Sequence, residues 1–272
     1  MGYFIGISGW TYGPWRNAFY PAGLAHKREL EYAASKVNSI EINGSFYSLQ
    51  RATSYQSWHE QTPDGFVFSV KGGRFITHMK KLSGVEAPLA NFFASGVLAL
   101  GEKLGPILWQ LPPNLGYDAD RLAAFFALLP RTTTAAVALA GQHDERMQDR
   151  AYLATDADRP LRYALEVRHS SYAVPEFSEL LRAHNIALVT ADTAGKWPFL
   201  EDQTSDFAYA RLHGSEELYV SGYSDELLDL WAAKVSAWGA GGRDVFAYFD
   251  NDVKVHAPYN AICLAEKLRA LG

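Results

Sequence analysis

The chain is poor in cysteine, since its 272 residues include only Cys263. A single cysteine cannot form an intramolecular disulfide, and it excludes a zinc site built on a CxxC pair. Such cysteine usage is typical of a reducing compartment, so we expect a cytoplasmic protein. The opening residues MGYFIGISGW lack the basic stretch and long apolar run of a signal peptide. No apolar run reaches 18 residues, so we also expect no membrane span and no membrane partner.

The chain also lacks a large excess of either acidic or basic residues. The formal net charge is -5 and the isoelectric point is about 5.9. A mildly acidic chain argues against nucleic acid as the main partner, although a local basic cleft could override the overall charge. The sequence does not indicate an oligomeric state.

Eight short runs of β-branched and aromatic residues recur along the chain, and helical patterns separate most of them. This alternation predicts parallel strands joined by crossover helices. Eight such units in 272 residues suit an α/β fold of the (β/α)8 TIM-barrel type, with one domain over residues 1–272. A doubly wound open sheet is the alternative, but no GxGxxG motif follows any strand and no Walker A motif occurs. The predicted strands are 3–8, 38–43, 66–71, 106–111, 162–167, 186–191, 207–213 and 245–249.

Spacing and capping residues predict the helices. Asp118 is placed to cap a helix that runs to about Leu129, and Ser224 or Asp225 to cap one that ends near Trp238. A further helix face is predicted from Phe93, Val97, Leu100 and Leu104, which follow one another at steps of four, three and four.

Two connections depart from the regular repeat. Residues 112–161 are long for one crossover, and we expect them to hold two helices, the second near 142–153. Residues 192–206 are too short for a full helix and contain Gly195 and Pro198, so we expect a reduced sixth helix.

Polar residues gather where the predicted strands end. Three pairs lie two residues apart, so their side chains point to the same side of a strand: Glu41/Asn43, Glu166/Arg168 and Arg211/His213. The C-terminal ends of barrel strands carry the catalytic groups of TIM-barrel enzymes, which predicts a functional pocket at that face. The alternative is that strand ends simply meet water, but this explains less well the charges inside SIEIN, ALEVR and YARLH. The strand-end residues are Ser8, Glu41, Asn43, Lys71, Gln110, Glu166, Arg168, His169, Asp192, Arg211, His213, Asp250, Asn251 and Asp252.

A lysine beside carboxylates in a partly dry pocket can perform acid–base chemistry. Burial lowers a lysine pKa and raises a glutamate pKa, while each group favours the charge of the other. We therefore predict Lys71, Glu166 and Glu41 as catalytic residues, with Lys71 as acid, base or Schiff-base amine. If Glu166 is functional rather than structural, Glu166→Gln should change stability by about 1 kcal/mol or less.

The remaining candidates are binding residues for a small anionic or sugar-like molecule. Arg168 and Arg211, together with Lys71, outnumber the two nearest carboxylates, which favours an anionic ligand. Internal pairing with Glu41 and Glu166 is the alternative. The aromatic residues after the first strand could stack on a sugar or on a base. The predicted substrate-binding residues are Arg168, Arg211, His213, Gln110, Asn43, Asp192, Asn251, Trp10 and Tyr12.

We predict no metal and no cofactor. The sequence has no HExxH or HxH motif, and three cations near the mouth would repel a divalent ion. Two other functions stay open: a metal-dependent phosphodiesterase that acts on nucleic acid, and a non-catalytic ligand-binding protein.

Seven stretches spread over the chain carry a family resemblance. The chain resembles the DUF72 family, also called YecE-like, whose fold is a TIM barrel. The resemblance implies this fold and no particular reaction. Two positions depart from the family pattern, because Tyr172 stands where tryptophan is expected and Asp250 where asparagine is frequent. The matching stretches are 7–21, 39–47, 66–78, 107–115, 164–172, 210–214 and 248–261.

Overall fold

The computed structural model describes residues 2–271 and contains a closed barrel of eight parallel strands in sequence order. β8 pairs with β1 and thereby closes the barrel, so the predicted (β/α)8 fold is confirmed. Met1 and Gly272, the ends of the predicted domain, lie outside the described residues. The strands are β1 Tyr3–Ser8, β2 Ser39–Ile42, β3 Val67–Lys71, β4 Leu104–Gln110, β5 Tyr163–Glu166, β6 Ile186–Asp192, β7 Phe207–Leu212 and β8 Asp244–Phe249.

Helices surround the barrel, and two of them begin at the predicted caps. The Asp118 carboxylate accepts a hydrogen bond from the backbone N–H of Arg121 at 3.0 Å, and the Ser224 hydroxyl accepts one from Leu227 at 3.3 Å. Across residues 2–271, no helix is both long and apolar enough to pass through a bilayer. The α-helices are α1 Glu29–Ala34, α2 Gly44–Tyr47, α3 Ala52–Glu60, α4 Glu86–Ala94, α5 Ala119–Leu128, α6 Thr133–Ala140, α7 Pro175–Ala183, α8 Asp225–Gly239 and α9 His256–Leu271.

The continuous helix face predicted from Phe93 to Leu104 is wrong. α4 ends at Ala94, and Gly96 adopts a left-handed conformation with φ of 109°. A separate 3₁₀ segment, Val97–Lys103, follows, and Leu104 already begins β4. Gly96 allows the turn after α4, and Gly101, with φ of 56°, breaks the helical path again before β4.

The long crossover between β4 and β5 contains two helices, as predicted, but the second is misplaced. It is α6, Thr133–Ala140, and its N-cap Thr132 accepts a hydrogen bond from the Ala135 N–H at 3.2 Å. Within the predicted range 142–153 the chain forms only a 3₁₀ turn, Glu145–Met147. Between β6 and β7, residues 193–206 form no helix, so this connection is reduced further than predicted and the sixth helix is absent.

The strands alternate between the barrel interior and the layer under the helices. In β7, Phe207 and Tyr209 lie in the inner apolar cluster, while Ala208 and Ala210 belong to the outer one. This period of two places Arg211 in the same inward row. The interior rows thus run from apolar side chains to charged ones toward the C-terminal face.

Gly6 allows β1 and β2 to approach each other. A Cβ atom at this position would lie 1.8 Å from the carbonyl oxygen of Ser39. Only glycine fits this close backbone contact, which brings Ser8 beside Glu41 in the paired register.

Candidate active site

A cavity of about 690 Å³ opens at the C-terminal ends of the strands. Its walls come from the residues that end or follow β2, β3, β4, β5 and β8, and from the loops after β1 and β7. Such a position is where TIM-barrel enzymes carry their catalytic groups. The lining residues are Tyr12, Pro14, Asn43, Phe46, Tyr47, Lys71, His78, Gln110, Arg168, Tyr219, Asp250, Asp252 and Val253.

A layer of buried ion pairs lies around the guanidinium of Arg211. Its Nη2 lies 2.8 Å from Glu41 Oε1 and 2.8 Å from Asp250 Oδ2, while its Nη1 lies 2.7 Å from Glu166 Oε2. Arg211, Glu41 and Glu166 are fully buried. Glu41 also accepts hydrogen bonds from the hydroxyls of Ser8 at 2.8 Å and Tyr209 at 2.6 Å. Every oxygen of Glu41 therefore has a donor, which is what a buried carboxylate requires.

Arg168 connects this layer to the cavity. Its Nε donates to Glu166 Oε1 at 2.8 Å, and its guanidinium carbon lies 3.8 Å from the centre of the Trp197 ring. Glu166 thus bridges two arginines. Because breaking a buried ion pair typically costs about 3–5 kcal/mol, these contacts favour a larger loss of stability in Glu166→Gln than the sequence suggests.

The prediction that positive charge is in excess at the mouth is wrong. Asp250 pairs with Arg211 and joins Glu41 and Glu166, so three carboxylates face the cations Lys71, Arg168 and Arg211. Only two carboxylates were counted from the sequence because a position at a strand end does not show which side chains of different strands meet. Arg211 is saturated by its partners and buried beneath the cavity, which removes one of the three cations from ligand contact.

The ionised state of this layer follows from its charges. Burial opposes ionisation of Glu166, but Arg168 and Arg211 outweigh it and hold its pKa well below 4.5. Burial raises the pKa of Asp250, but Arg211 and the other groups around this carboxylate together lower it more strongly. The pKa of Asp250 therefore lies below its usual value of 3.8. His213 is fully buried, with Nδ1 3.0 Å from Asp250 Oδ2. Burial and the nearby Arg211 lower the pKa of His213, so this ring is neutral at pH 7.

Lys71 differs from the two arginines because, within residues 2–271, no carboxylate lies within ion-pair distance of it. It ends β3 in the cavity wall, with 8% of its surface exposed. Its Nζ lies 4.4 Å from the centre of the Phe46 ring. Burial first, and repulsion by Arg211 second, lower the pKa of Lys71 from 10.5 to about 8. A substantial fraction of this amine is therefore neutral near pH 8.

Two further groups in the cavity wall have perturbed pKa values. Burial and the negative charge of Asp250 raise the pKa of Asp252 well above 3.8, which favours the protonated carboxylic acid. Among the described residues, Asp252 Oδ1 has no hydrogen-bond partner. Burial, together with the charges of Lys71 and Arg168, lowers the pKa of His78 to about 4. The cavity thus contains an amine that loses its proton easily and a carboxyl group that retains one.

Five of the predicted site residues line the cavity, namely Tyr12, Asn43, Lys71, Gln110 and Arg168. The buried layer beneath them contains Glu41, Glu166, Arg211 and His213. The structure therefore brings together most of the predicted set, in two layers.

Three predicted residues lie elsewhere. Asp192 belongs to the outward row of β6, and its Oδ2 accepts a hydrogen bond from the Tyr223 hydroxyl at 3.0 Å. Asn251 follows the inward Asp250 and so points away; its Nδ2 donates to the Ser221 carbonyl at 2.9 Å. Trp10 packs against the ring of Trp58, with ring centres 5.2 Å apart. Asp192 and Asn251 thus fix the loop after β7 instead of lining the cavity.

The predicted site residues include neither Phe46 nor Tyr47. Both lie in α2, a single turn that follows β2, and both line the cavity. Tyr47 is 71% exposed. Their position directly after the strand-end Asn43 was the available signal, because loops after barrel strands form the mouth.

The carboxylates of the mouth are poorly placed to bind a metal ion. The donors of Arg168 and Arg211 occupy Glu41, Glu166 and Asp250. Within residues 2–271, no group of three or more His, Cys, Asp or Glu side chains is arranged to hold a metal.

Comparison with known proteins gives a consistent result. Residues 4–271 match the family described as "Protein of unknown function DUF72". The UPF0759 protein YunF of Bacillus subtilis is 29% identical over 125 residues, which cover 44% of this chain and 43% of that protein. The UPF0759 protein YecE of Escherichia coli K12 is 28% identical over 113 residues, or 42% and 39% of the two chains. Each aligned region therefore spans less than half of the curated relative.

A solved structure agrees over a greater length. A DUF72 family protein from Thermotoga maritima superposes with a TM-score of 0.79 at 23% identity, covering 99% of this chain and 100% of that chain. At this identity the likeness establishes the fold. The resemblance read from the sequence motifs is confirmed.

Proposed function

This chain belongs to the DUF72 family of proteins of unknown function, and we propose that it is an enzyme that uses Lys71 to exchange a proton with a small sugar-like molecule. The observation that carries the proposal is Lys71 itself. Its amine lines the cavity, has no carboxylate partner within residues 2–271, and has a pKa lowered to about 8. A lysine tuned to this range can accept a proton at physiological pH, whereas an ordinary lysine cannot.

The lining of the cavity favours a neutral or weakly charged polar ligand. Tyr12, Phe46 and Tyr47 offer aromatic surface, while Asn43 and Gln110 offer amide donors and acceptors. Apolar ring faces combined with a few polar groups are typical of sites that bind small organic molecules. Because Arg211 is saturated and Arg168 is paired, the site supports at most one anionic group on the ligand, next to Lys71.

Proton transfer next to a carbonyl suits the groups in the wall. Neutral Lys71 removes the proton from the carbon beside the carbonyl of an open-chain sugar. Protonated Asp252 gives its proton to the carbonyl oxygen, which yields an enediol and leaves a lysine ammonium and an aspartate. Two titratable groups whose environments push their pKa values apart form the usual acid–base arrangement of an active site. Return of a proton to either carbon would isomerise or epimerise the sugar.

A purely binding role explains the lysine less well. A neutral sugar can be held by amides and aromatic rings, and burial of an unpaired lysine reduces the stability of the fold. Active-site groups are often retained at such a cost.

Deuterium exchange tests this proposal without knowledge of the product. The protein is incubated in D₂O with a panel of aldoses, ketoses and their phosphates, and mass spectrometry follows deuterium gained at carbon. We expect wild type to label at least one sugar, and both Lys71→Met and Lys71→Arg to abolish the labelling. Lys71→Arg is the matched control because arginine keeps the charge but does not deprotonate in proteins. Retention of exchange in Lys71→Arg would contradict the proposal, and binding without exchange in wild type would favour a non-catalytic ligand-binding protein.

A further inference from the structure

A second cavity of about 320 Å³ lies beside the mouth cavity. Tyr12 and Asn43 line both of them, so the two spaces share a wall. The remaining lining comes from the loop after β1, the start of α2 and the side of α3. The residues that line the second cavity are Gly9, Trp10, Thr11, Tyr12, Ile42, Asn43, Gly44, Gln50 and Trp58.

The chemistry of the second cavity differs from that of the first. None of its lining residues is Asp, Glu, Lys or Arg. The rings of Trp10 and Trp58 lie 5.2 Å apart at 83°, so they form a corner of two indole surfaces. The amide groups of Gln50 and Asn43 border the same space. A neutral ring with apolar faces and hydroxyl groups at its edge fits this lining.

Asn43 belongs to the wall that the two cavities share. Within the described residues its Oδ1 is buried and has no hydrogen-bond partner. It stands at the N-cap position of α2, but its side chain does not cap that helix. A buried carbonyl oxygen without a donor is costly, and a ligand hydroxyl that reaches it at the shared wall would supply that donor.

We infer that the ligand is a two-unit sugar, a disaccharide with a free reducing end, whose reducing unit lies beside Lys71 and whose second ring packs in the Trp10–Trp58 corner. The inference rests on the sugar-binding part of the proposed function and extends it to the second cavity. The inference also gives a role to Trp10, which was predicted to bind substrate but lines only the second of these two cavities.

Gly44 allows the second cavity to be filled selectively. It lines that cavity but not the first. A Cβ atom at Gly44 would approach only the amide end of the Gln50 side chain, at 3.5 Å, an ordinary contact. Gly44→Leu therefore should place a side chain in the second cavity without disturbing Lys71. Gly141→Leu, at the end of α6 and remote from the mouth, is the control for a general effect of leucine at an exposed glycine.

Binding of glucose, galactose and mannose is measured by saturation-transfer NMR and calorimetry, and compared with that of their α- and β-linked disaccharides. We expect wild type to bind one disaccharide at least about tenfold more tightly than its monosaccharide. Gly44→Leu should remove this gain while leaving the monosaccharide affinity within about twofold, and Gly141→Leu should change neither. Equal affinity of wild type for both sizes, or no effect of Gly44→Leu on the disaccharide, would overturn the inference.

Failure of the proposed function gives a different pattern. If the disaccharide and monosaccharide affinities differ as expected but no sugar gains deuterium, the two-unit binding site is supported. The proton-transfer role of Lys71 is then contradicted. If no sugar of either size binds, both are overturned.

Discussion

Replacing Lys71 by methionine should stabilise the protein at pH 7. The substitution keeps the length and apolar stem of the side chain and removes the amine. Lowering the pKa from 10.5 to about 8 corresponds to about 3 kcal/mol of free energy that the fold loses when Lys71 is charged. Without the ammonium, Glu41, Glu166 and Asp250 face only two arginines, so we expect a net gain of about 1–3 kcal/mol.

The pH dependence identifies the origin of this gain. Between about pH 8 and 10.5 the unfolded chain keeps a proton on Lys71 that the folded protein has released. In this window wild type becomes more stable as the pH rises, because the unfolded state binds more protons. The advantage of Lys71→Met should therefore be largest below pH 8 and should disappear near pH 10.5.

Urea unfolding of wild type and Lys71→Met at pH 7 and pH 10 measures the effect. Other titrating groups are the same in both proteins and cancel in the difference. Lys80→Met, which changes an exposed lysine, serves as the control and should alter stability by no more than about 0.5 kcal/mol. A Lys71→Met protein that is less stable than wild type by the same amount at both pH values would refute the reasoning, since Lys71 would then be a structural cation.

Further outcomes follow from the same geometry. Glu166→Gln should lower the free energy of unfolding by about 3 kcal/mol in urea titrations at pH 7, because both Arg168 and Arg211 lose their charged partner at this position. The rate of deuterium exchange should rise with pH through about 8 as the base Lys71 loses its proton, and a rate that falls over this range would exclude that role. Treatment with EDTA should leave the exchange rate unchanged, since the mouth carboxylates are occupied by arginine donors; a rate restored only by an added divalent ion would contradict this.

The fold was largely predictable because its signals are local. Each strand appears as a short run of β-branched and aromatic residues, and the caps Asp118 and Ser224 mark their helices directly. The prediction failed at residues 93–104, where the spacing of apolar residues continued across Gly96 although the backbone turned there. Periodicity reports which side chains are buried, and three successive short elements can bury them as well as one helix.

The candidate site was predictable only in part. The period of two placed Lys71 and Arg168 correctly at the mouth. It could not reveal that Asp250 pairs with Arg211, because strand-end positions do not show which side chains of different strands meet. Asp192 was misassigned since β6 extends to this residue in the outward row, a detail of strand register that composition does not specify.

The state of the Lys71 amine tests the central claim most directly. Wild-type protein is pulsed with acetic anhydride at pH values from 6 to 11, digested, and analysed by mass spectrometry, with the exposed Lys80 as the internal standard in each digest. We predict that acetylation of Lys71 follows a titration with its midpoint near pH 8. A midpoint above pH 10, the value of an ordinary lysine, would mean that Lys71 remains an ammonium at neutral pH and would contradict its role as the proton acceptor.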